Sequence, residues 1–387
     1  MVAAELSNPP ATERPKVDFF DFDVEQWNAH VAGWGWPKFR AQQVRDWVYH
    51  KGLRDPAAFT TLSKADREKL ASEVRFGSSE ILAHQISEDG TQKLLLGWPA
   101  ADGSMTAQAE TVMIPDGNRR TACVSSQVGC PVGCTFCASG LDGVKGNLTA
   151  GQIVEQIWML NHVMSGNLPK IQPQDNRQPP QAQRITNIVF MGMGEPMANY
   201  AAVFKSIRIL HDSKCMNIGA RRITVSTVGV PKRIRDMAHE ELPLGLALSL
   251  HAPNEPLRKQ LIPWAEHFAL PEILDACRYY FDKTGREITL EYILLAGVND
   301  QPEHAQQLIK VCKTLRANVN LLRYNEVPSL PHKRPSSDAV SLFQETLRRG
   351  GVNAHVRKSR GRDIAAACGQ LKRQEKQKNE RLVVLGT

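Results

Sequence analysis

The sequence predicts an α/β fold, in which a partial (β/α)6 barrel follows a small N-terminal helical domain and a β-hairpin extension. Six apolar segments alternate with segments of helical periodicity from residue 116 to 371, which is typical of a parallel sheet buried on both faces. Polar residues close several of these apolar segments, as expected at the active face of a β/α barrel. Periodicity alone leaves a doubly wound sheet open as the alternative.

The composition is that of an ordinary globular protein. The chain has 387 residues, of which 42% are hydrophobic and 23% charged, and this excludes a disordered or fibrous protein. Its net charge of +8 permits a polyanionic partner without requiring one. No apolar run approaches the ~20 residues of a membrane helix, and the N-terminus lacks the pattern of a secretory signal. We therefore expect a cytoplasmic protein that does not contact membranes.

The first 78 residues predict a leader and a helical domain. Residues 1–17 are rich in proline and polar residues, and we expect a mobile leader. Residues 18–78 have helical periodicity and a basic surplus, so this small domain either contacts nucleic acid or braces the barrel. Within it, the segment FRAQQVRDWVYHKG predicts a helix that ends near Gly52. The residues expected on its inward face are Phe39, Val44, Trp47 and Val48.

Residues 79–115 predict an extension of three strands that leads into the barrel. Asp89–Gly90 between two apolar runs indicates a hairpin turn. The six barrel strands are then expected at TACVSS, RITNIVFMGM, RRITVST, PLGLALSLHA, REITLEYILLA and ANVNLLRYN. Two segments lie outside this alternation: a Pro- and Gln-rich loop over 170–183 and a basic C-terminal tail over 372–387.

Three of the eight cysteines form a CxxxCxxC motif at Cys130, Cys134 and Cys137. Because a cytosolic chain keeps its thiols reduced, we interpret the cluster as thiolate chemistry rather than a disulfide framework. One alternative is a zinc site, which needs a fourth ligand and would take Cys123. The other is a [4Fe–4S] cluster held by three cysteines, which leaves one iron with an open position. The isolated Cys215, Cys277 and Cys312 are assigned to packing.

The motif resembles the signature of radical S-adenosylmethionine (SAM) enzymes, since aromatic Phe136 precedes its last cysteine and a strand precedes the motif. This resemblance implies one [4Fe–4S] cluster, whose open iron binds the amino and carboxylate groups of SAM. The later segment MGMGEP resembles the Gly-Gly-Glu motif that holds the methionine amino group in that family. The residues that the resemblance implies for SAM binding are Gly194, Glu195, Ser226, Ser249, Leu250, His251 and Asn325.

A narrower resemblance, from about residue 18 to 371, is to bacterial adenine-C2 RNA methyltransferases of the RlmN type. The segments that carry it are FRAQQVRDWVYHKG, ETVMIP, RTACVSSQVGC, MGMGEP, SLHA, GVND and GRDIAAACGQL. The resemblance implies methylation of C2 of an adenine in 23S rRNA and in tRNA. The alternatives are the sister activity at adenine C8, a zinc-stabilised RNA-binding protein, and an electron carrier with four cysteine ligands. LLRYN departs from the family's Pro-containing segment before Asn325.

The resemblance also implies a mechanism suited to C2, an electron-poor carbon that cannot attack the methyl group of SAM itself. Cys368 would carry the methyl group, Cys123 would resolve the intermediate through a transient disulfide, and Glu110 would accept the C2 proton. Two SAM molecules are then consumed per turnover, and an electron donor and thiol reductant are needed. We expect a monomer. From the residues alone, Cys368 would be a small buried side chain and Glu110 a solvated one.

Overall fold

The computed structural model describes residues 16–100, 103–166 and 184–371. The predicted leader, apart from its last two residues, the loop over 170–183 and the tail over 372–387 lie outside these ranges. No helix in the described part of the chain is long and apolar enough to cross a membrane.

The elements follow the predicted alternation from the hairpin onward. The strands are β1 (Val17–Asp18), β2 (Val74–Arg75), β3 (Glu80–Ile86), β4 (Gln92–Pro99), β5 (Met105–Asp116), β6 (Arg119–Cys123), β7 (Gln127–Gly129), β8 (Val144–Asn147), β9 (Asn187–Phe190), β10 (Ile223–Thr227), β11 (Gly245–Ser249), β12 (Ile288–Leu294), β13 (Ala317–Arg323) and β14 (Ala354–Arg357). The helices are α1 (Val24–Ala32), α2 (Lys38–Arg45), α3 (Lys64–Glu73), α4 (Ala150–Met164), α5 (Tyr200–His211), α6 (Pro231–Met237), α7 (Glu255–Leu261), α8 (Leu270–Thr284), α9 (Pro302–Cys312) and α10 (Ser337–Arg349).

One ten-stranded sheet organises the molecule, in the order β14-β13-β12-β11-β10-β9-β6-β5-β4-β3. The strands from β6 to β14 in this order pair in parallel, which confirms the α/β class and the six predicted barrel strands. β14 adds a short seventh parallel strand that the sequence pattern does not predict, because its four residues alternate in burial and lack an apolar run. The antiparallel strands β3, β4 and β5 extend the same sheet beyond β6.

The N-terminal helices pack around a buried aromatic cluster. Val44, Trp47 and Val48 are buried as predicted, the last two in a π-helical turn that continues α2. The prediction for Phe39 is wrong, since 58% of this residue is exposed. At 3.6 residues per turn, Phe39 lies on the opposite side of the helix from Val48 and therefore faces solvent. There the Arg40 guanidinium carbon lies 5.3 Å from the centre of the Phe39 ring.

Helix α4 joins the helical domain and the strand extension to the barrel. The Trp158 indole of α4 donates to the Val48 carbonyl over 2.8 Å. The buried Glu155 carboxylate accepts hydrogen bonds of 2.8 Å from the Ser79 amide and the Trp98 indole. Since buried carboxylates are costly unless they are hydrogen-bonded, these contacts hold the three parts in one arrangement. The helical domain is therefore packed against α4 of the barrel.

Candidate active site

The three motif cysteines lie on a loop between β7 and a 3-10 turn at Ala138–Gly140. Gly129 begins this loop with φ +78, and a Cβ there would lie 2.0 Å from the Gly143 carbonyl oxygen, so only glycine allows the close approach. The Thr135 amide donates to the Leu261 carbonyl over 3.0 Å and ties the loop to α7. All three cysteines pack against an apolar cluster that includes Val132 and Phe136.

The three thiols lie within electrostatic range of one another. Burial raises the pKa of Cys130 to about 12. Burial also raises the pKa of Cys134, which the neighbouring Cys137 and Cys130 raise further. Thiols with such pKa values ionise at neutral pH only when a positively charged centre binds them. The arrangement is that of a ligand set for an inorganic centre.

The three cysteines fit an iron–sulfur cluster. The cysteines of such a cluster each bind a different iron, so three of them leave one iron open, whereas a structural zinc ion takes four ligands. Cys123 lies at the end of β6 and is 7% exposed.

The MGMGEP segment forms the loop after β9, next to the cysteine loop. Gly194 has φ +101, and a Cβ there would lie 2.7 Å from the Gln127 Cβ. The buried Glu195 carboxylate accepts hydrogen bonds from the Met197 amide (2.9 Å) and the Val228 amide (3.0 Å). Each oxygen keeps a further lone pair, so the carboxylate retains capacity for an ammonium group. Burial raises the pKa of Glu195, and its charge in turn raises that of Cys130.

The predicted strand-end residues meet on the same side of the sheet. The Ser226 and Ser249 hydroxyl oxygens, from neighbouring strands, lie 3.2 Å apart. His251 has φ +55, and its Nδ1 accepts a hydrogen bond from the Ile293 amide over 3.1 Å. Burial and the positive charge of Arg258 lower the pKa of His251 to about 3, so the ring is neutral at physiological pH. Leu250 is fully buried beside it.

Phe136 and Asn325 belong to the same wall of the site as these strand-end residues. The His251 ring centre lies 5.0 Å from that of Phe136 on the cysteine loop. The Asn325 Oδ1 atom accepts a hydrogen bond of 3.1 Å from Arg334. The wall therefore joins the cysteine loop to the ends of β11, β12 and β13.

Buried polar atoms without hydrogen-bond partners also lie beside the cysteine loop. Among the described residues, the Ser126 hydroxyl and the Tyr324 hydroxyl are buried and lack a hydrogen-bond partner. Ser126 Oγ lies 2.8 Å from the position that a Cβ would take at Gly194, and Tyr324 is close enough to Cys137 for that thiolate to raise its pKa. These are two of the eleven such atoms among the described residues, and their place beside the cysteine loop fits a polar ligand there. The residues are thus consistent with a bound cluster and SAM.

The structure brings Cys123 and Cys368 together from distant parts of the chain. Burial raises the pKa of Cys123, and the Cys368 thiolate raises it further. Cys368 is exposed on the loop after β14, yet surrounding protein atoms, Glu291 and Cys137 raise its pKa to about 11. A free thiol there is therefore protonated at neutral pH. Cys368 thus neighbours both Cys123 and the cysteine loop, whereas Cys215, Cys277 and Cys312 are buried.

The loop that carries Cys368 is anchored beside the 3-10 turn. The Ala138 amide donates to the Gly369 carbonyl over 2.8 Å, and the Ser139 hydroxyl donates to the Leu371 carbonyl over 2.6 Å. These contacts place the Cys368 segment against the end of the cysteine motif.

Glu110 on β5 is buried, contrary to the expectation from the residues alone that it is solvated. Its Oε1 atom lies 2.9 Å from the Lys93 ammonium, and the side chain is 1% exposed. Val112 pairs with Cys123 across β5 and β6. Because residues i and i+2 of a strand face the same side, Glu110 lies on the same face of the sheet as Cys123.

Sequence analysis misses three charged residues of this region. Arg258 is 1% exposed, lies near Cys134 and Glu195, and donates to the Val228 carbonyl. Lys93 and Glu291 are buried on β4 and β12. For Lys93 and Glu291, the sequence signal that could have found them is a single charged residue inside an apolar strand, as in QKLLLGW and ITLEYIL.

The chain is similar to several known proteins. Residues 17–75 match the family described as the ribosomal RNA large subunit methyltransferase N-terminal domain. A probable dual-specificity RNA methyltransferase RlmN from Thermosynechococcus vestitus is 42% identical over 89% of this chain and 95% of its own length. Another from a Synechococcus species is 44% identical, over 91% and 96%. The crystal structure of a radical SAM methyltransferase from Sphaerobacter thermophilus matches with a TM-score of 0.84 and 40% identity, over 92% of this chain and 99% of that one.

Proposed function

The chain belongs to the dual-specificity RNA methyltransferase family RlmN, and on that premise we propose that its site methylates C2 of a specific adenine in 23S rRNA and in tRNA. It is a radical SAM RNA methyltransferase, a class that uses a [4Fe–4S] cluster and SAM. In this proposal Cys130, Cys134 and Cys137 hold the cluster. SAM binds at Gly194, Glu195, Ser226, Ser249, Leu250, His251 and Asn325.

The observation that carries the proposal is the meeting of two lone cysteines beside the cysteine motif. Cys368 lies within electrostatic range of both Cys123 and Cys137, although it follows them by 245 and 231 positions in the chain. A structural iron–sulfur or zinc protein has no need for an exposed thiol and a buried thiol at this place. A methyl carrier and a resolving thiol require this arrangement.

The chain's own residues divide the reaction among them. The exposed Cys368 thiol gives up its proton to solvent, and its sulfur forms a bond with the methyl group of a first SAM, whose carbon–sulfonium bond breaks. When bound, the cluster and a second SAM supply a 5′-deoxyadenosyl radical, which can remove a hydrogen atom from a thioether methyl group. The resulting carbon radical on Cys368 forms a bond with adenine C2. The adduct gives up its unpaired electron, for which the oxidised cluster would be the acceptor, and Glu110 accepts the C2 proton. Cys123 then loses its thiol proton and attacks the Cys368 sulfur. The carbon–sulfur bond breaks with its electron pair on carbon, which takes up a proton to become the methyl group, and a disulfide remains.

The disulfide and the radical step define two further requirements. A thiol reductant must return Cys123 and Cys368 to the reduced state, and an electron donor must supply the cluster. Two SAM molecules are consumed per turnover. All the residues in the proposal belong to one chain, so a monomer suffices.

A positive rim near Cys368 supports RNA as the substrate. Arg357 ends β14 and is close enough to lower the pKa of Cys368. Arg334 lies within electrostatic range of Arg362 and Arg323, and burial together with these charges lowers its pKa. Arginines bind phosphate groups with an affinity that falls as salt rises. C2 becomes accessible only when the adenine is unstacked, so the target base lies in a loop or is flipped out.

The decisive experiment is an anaerobic assay of Cys368→Ala with RNA, SAM and a reductant. The unsubstituted chain is expected to yield 2-methyladenine in digested RNA, measured by mass spectrometry, and Cys368→Ala is expected to yield none. Cys312→Ala, at a buried cysteine of α9, is the matched control and retains activity. Methylated RNA from Cys368→Ala would contradict the mechanism, and a methyl group on C8 would contradict the regiochemistry.

A further inference from the structure

We propose that Lys93 is a positioning residue that holds the proton acceptor Glu110 and the Cys368 loop in one fixed arrangement. Its ammonium group lies 2.9 Å from the Glu110 Oε1 atom and donates a hydrogen bond of 3.2 Å to the Ala365 carbonyl. The inference rests on the proposed function. It adds a residue that is not among those proposed to hold the cluster or SAM.

The strand register places Lys93 in the same row of the sheet as Cys123 and diagonally next to Glu110. Lys93 pairs with Val112 on β5, and Val112 pairs with Cys123 on β6. Leu95 pairs with Glu110, so Glu110 is the diagonal neighbour of Lys93 on the same face. One row across three strands therefore carries both the ammonium group and the resolving thiol.

The ion pair between Lys93 and Glu110 is important because both side chains are buried. The Lys93 side chain is 6% exposed and that of Glu110 is 1% exposed. A buried charge that loses its partner tends to become neutral or to move toward solvent. Lys93 thus supplies a charged partner for the Glu110 carboxylate at a place that solvent does not reach.

The contact with Ala365 links this pair to the methyl carrier. Ala365 has φ +49, a left-handed conformation that is rare for alanine and persists only where surrounding contacts hold it. It lies three residues before Cys368. The same loop is fastened to the hairpin turn, where Asp363 accepts hydrogen bonds from the Ser87 hydroxyl (2.5 Å) and the Glu88 amide (3.2 Å). Lys93 therefore reaches the loop between its anchor and its reactive thiol.

Lys93 therefore acts at one step of the reaction, the transfer of the C2 proton to Glu110. Once the adduct of adenine and Cys368 has given up its unpaired electron, for which the oxidised cluster would be the acceptor, its C2–H bond breaks. The proton passes to a Glu110 oxygen and the electron pair of the bond stays on the ring. Glu110 accepts it only if it is ionised and aimed at a base whose position Cys368 determines. Methylation of Cys368 comes before this step and does not need it.

The test compares Lys93→Met, which keeps the length of the side chain and removes its charge, with Lys93→Arg and Glu110→Gln. We expect Lys93→Met to methylate Cys368 normally, measured as intact-protein mass. Release of methylated RNA should fall about tenfold or more, and a covalent protein–RNA adduct should accumulate on denaturing gels, as in Glu110→Gln. Lys93→Arg should recover part of the release. Lys145→Met, on exposed β8, is the control.

Two outcomes would overturn the inference: normal product release by Lys93→Met, or equal losses of Cys368 methylation and RNA release, which indicate a purely structural role. The double variant Lys93→Met/Glu110→Gln contains neither charge and provides a folded comparison if Lys93→Met is unstable. Its loss of release should be smaller than the product of the two single losses, and a fully multiplicative loss would also overturn the inference. If the unsubstituted chain makes no methylated RNA, the proposed function fails instead.

Discussion

At the scale of single residues, we propose two different roles for the four cysteines between 123 and 137. Cys123 lies within electrostatic range of Cys368, whereas Cys134 lies within electrostatic range of Cys130 and Cys137. We therefore expect Cys123→Ala to keep the iron content of the unsubstituted protein and Cys134→Ala to lose most of it. Iron analysis and absorbance near ~420 nm after anaerobic preparation measure both. Loss of iron in Cys123→Ala would favour a closed set of four ligands.

The buried His251 makes the fold sensitive to acid. Its pKa is about 3 in the folded protein and 6.5 in the unfolded chain, so between these values the unfolded state binds more protons. The stability that the neutral ring provides is complete above about pH 6.5 and is lost as pH falls. Between pH 7 and pH 5 this amounts to about 2 kcal/mol.

Urea unfolding of the metal-free protein tests this prediction. His251→Gln keeps an acceptor for the Ile293 amide but does not titrate. Its free energy of unfolding should decline less between pH 7 and pH 5 than that of the unsubstituted protein. Parallel pH profiles would contradict the assigned role of the ring.

Only part of the site is predictable residue by residue. The cysteines are recognisable because their ligand spacing is local in sequence. Lys93 and Arg258 are not, because their partners lie on other strands or loops. Glu110 was expected to be solvated for the same reason, since nothing in AETVMIP reveals the ammonium group that faces it.

At the scale of elements, the β3–β4 hairpin forms the support on which the Cys368 loop rests. Its turn residues bind the loop through Asp363, and the Asp89 carboxylate accepts a hydrogen bond of 3.1 Å from the Gly361 amide. We expect Asp363→Ala to release the loop from the hairpin while leaving the barrel intact. Hydrogen exchange should then be faster at the Glu88 and Gly361 amides, and product formation should fall.

The control for this prediction is Asp338→Ala, at the start of α10. It should leave exchange at the hairpin and product formation unchanged. Unaltered exchange in Asp363→Ala would show that other contacts suffice to hold the loop.

Elements were predictable where the sequence period is strong and local. The barrel strands consist of apolar runs, and Asp89–Gly90 forms the expected turn between β3 and β4. β14 is short and amphipathic, so its place is decided by pairing with β13 rather than by its own residues. For Phe39 the prediction was wrong in the other direction. As an apolar residue in a helix it was assigned to the buried face, although it lies on the opposite side of the helix from Val48 and is exposed.

At the scale of the whole molecule, the charge distribution predicts how RNA binding responds to salt. Arg357 and Arg362 flank the loop of Cys368, and each is expected to neutralise one phosphate. Replacing both by Gln should weaken RNA binding. The slope of log affinity against log salt should also become shallower by about 0.7 per lost contact with a single strand. Filter binding at several salt concentrations measures this slope.

Arg349→Gln, at an arginine paired with Glu345 on α10, serves as the control and should leave the slope unchanged. Equal slopes for the double variant and the unsubstituted protein would place the RNA elsewhere on the molecule.

The continuity of the large sheet has a consequence for how this enzyme is built. In the proposed mechanism, the residues that hold the cluster and SAM follow strands of the parallel half, whereas the proton acceptor Glu110 lies on the antiparallel strands added beyond β6. These halves meet at a single seam, where β5 lies against β6 and Val112 faces Cys123. A substitution of Glu110 on these antiparallel strands is therefore expected to affect proton transfer from C2 while it leaves the cluster and SAM residues of the parallel strands in place.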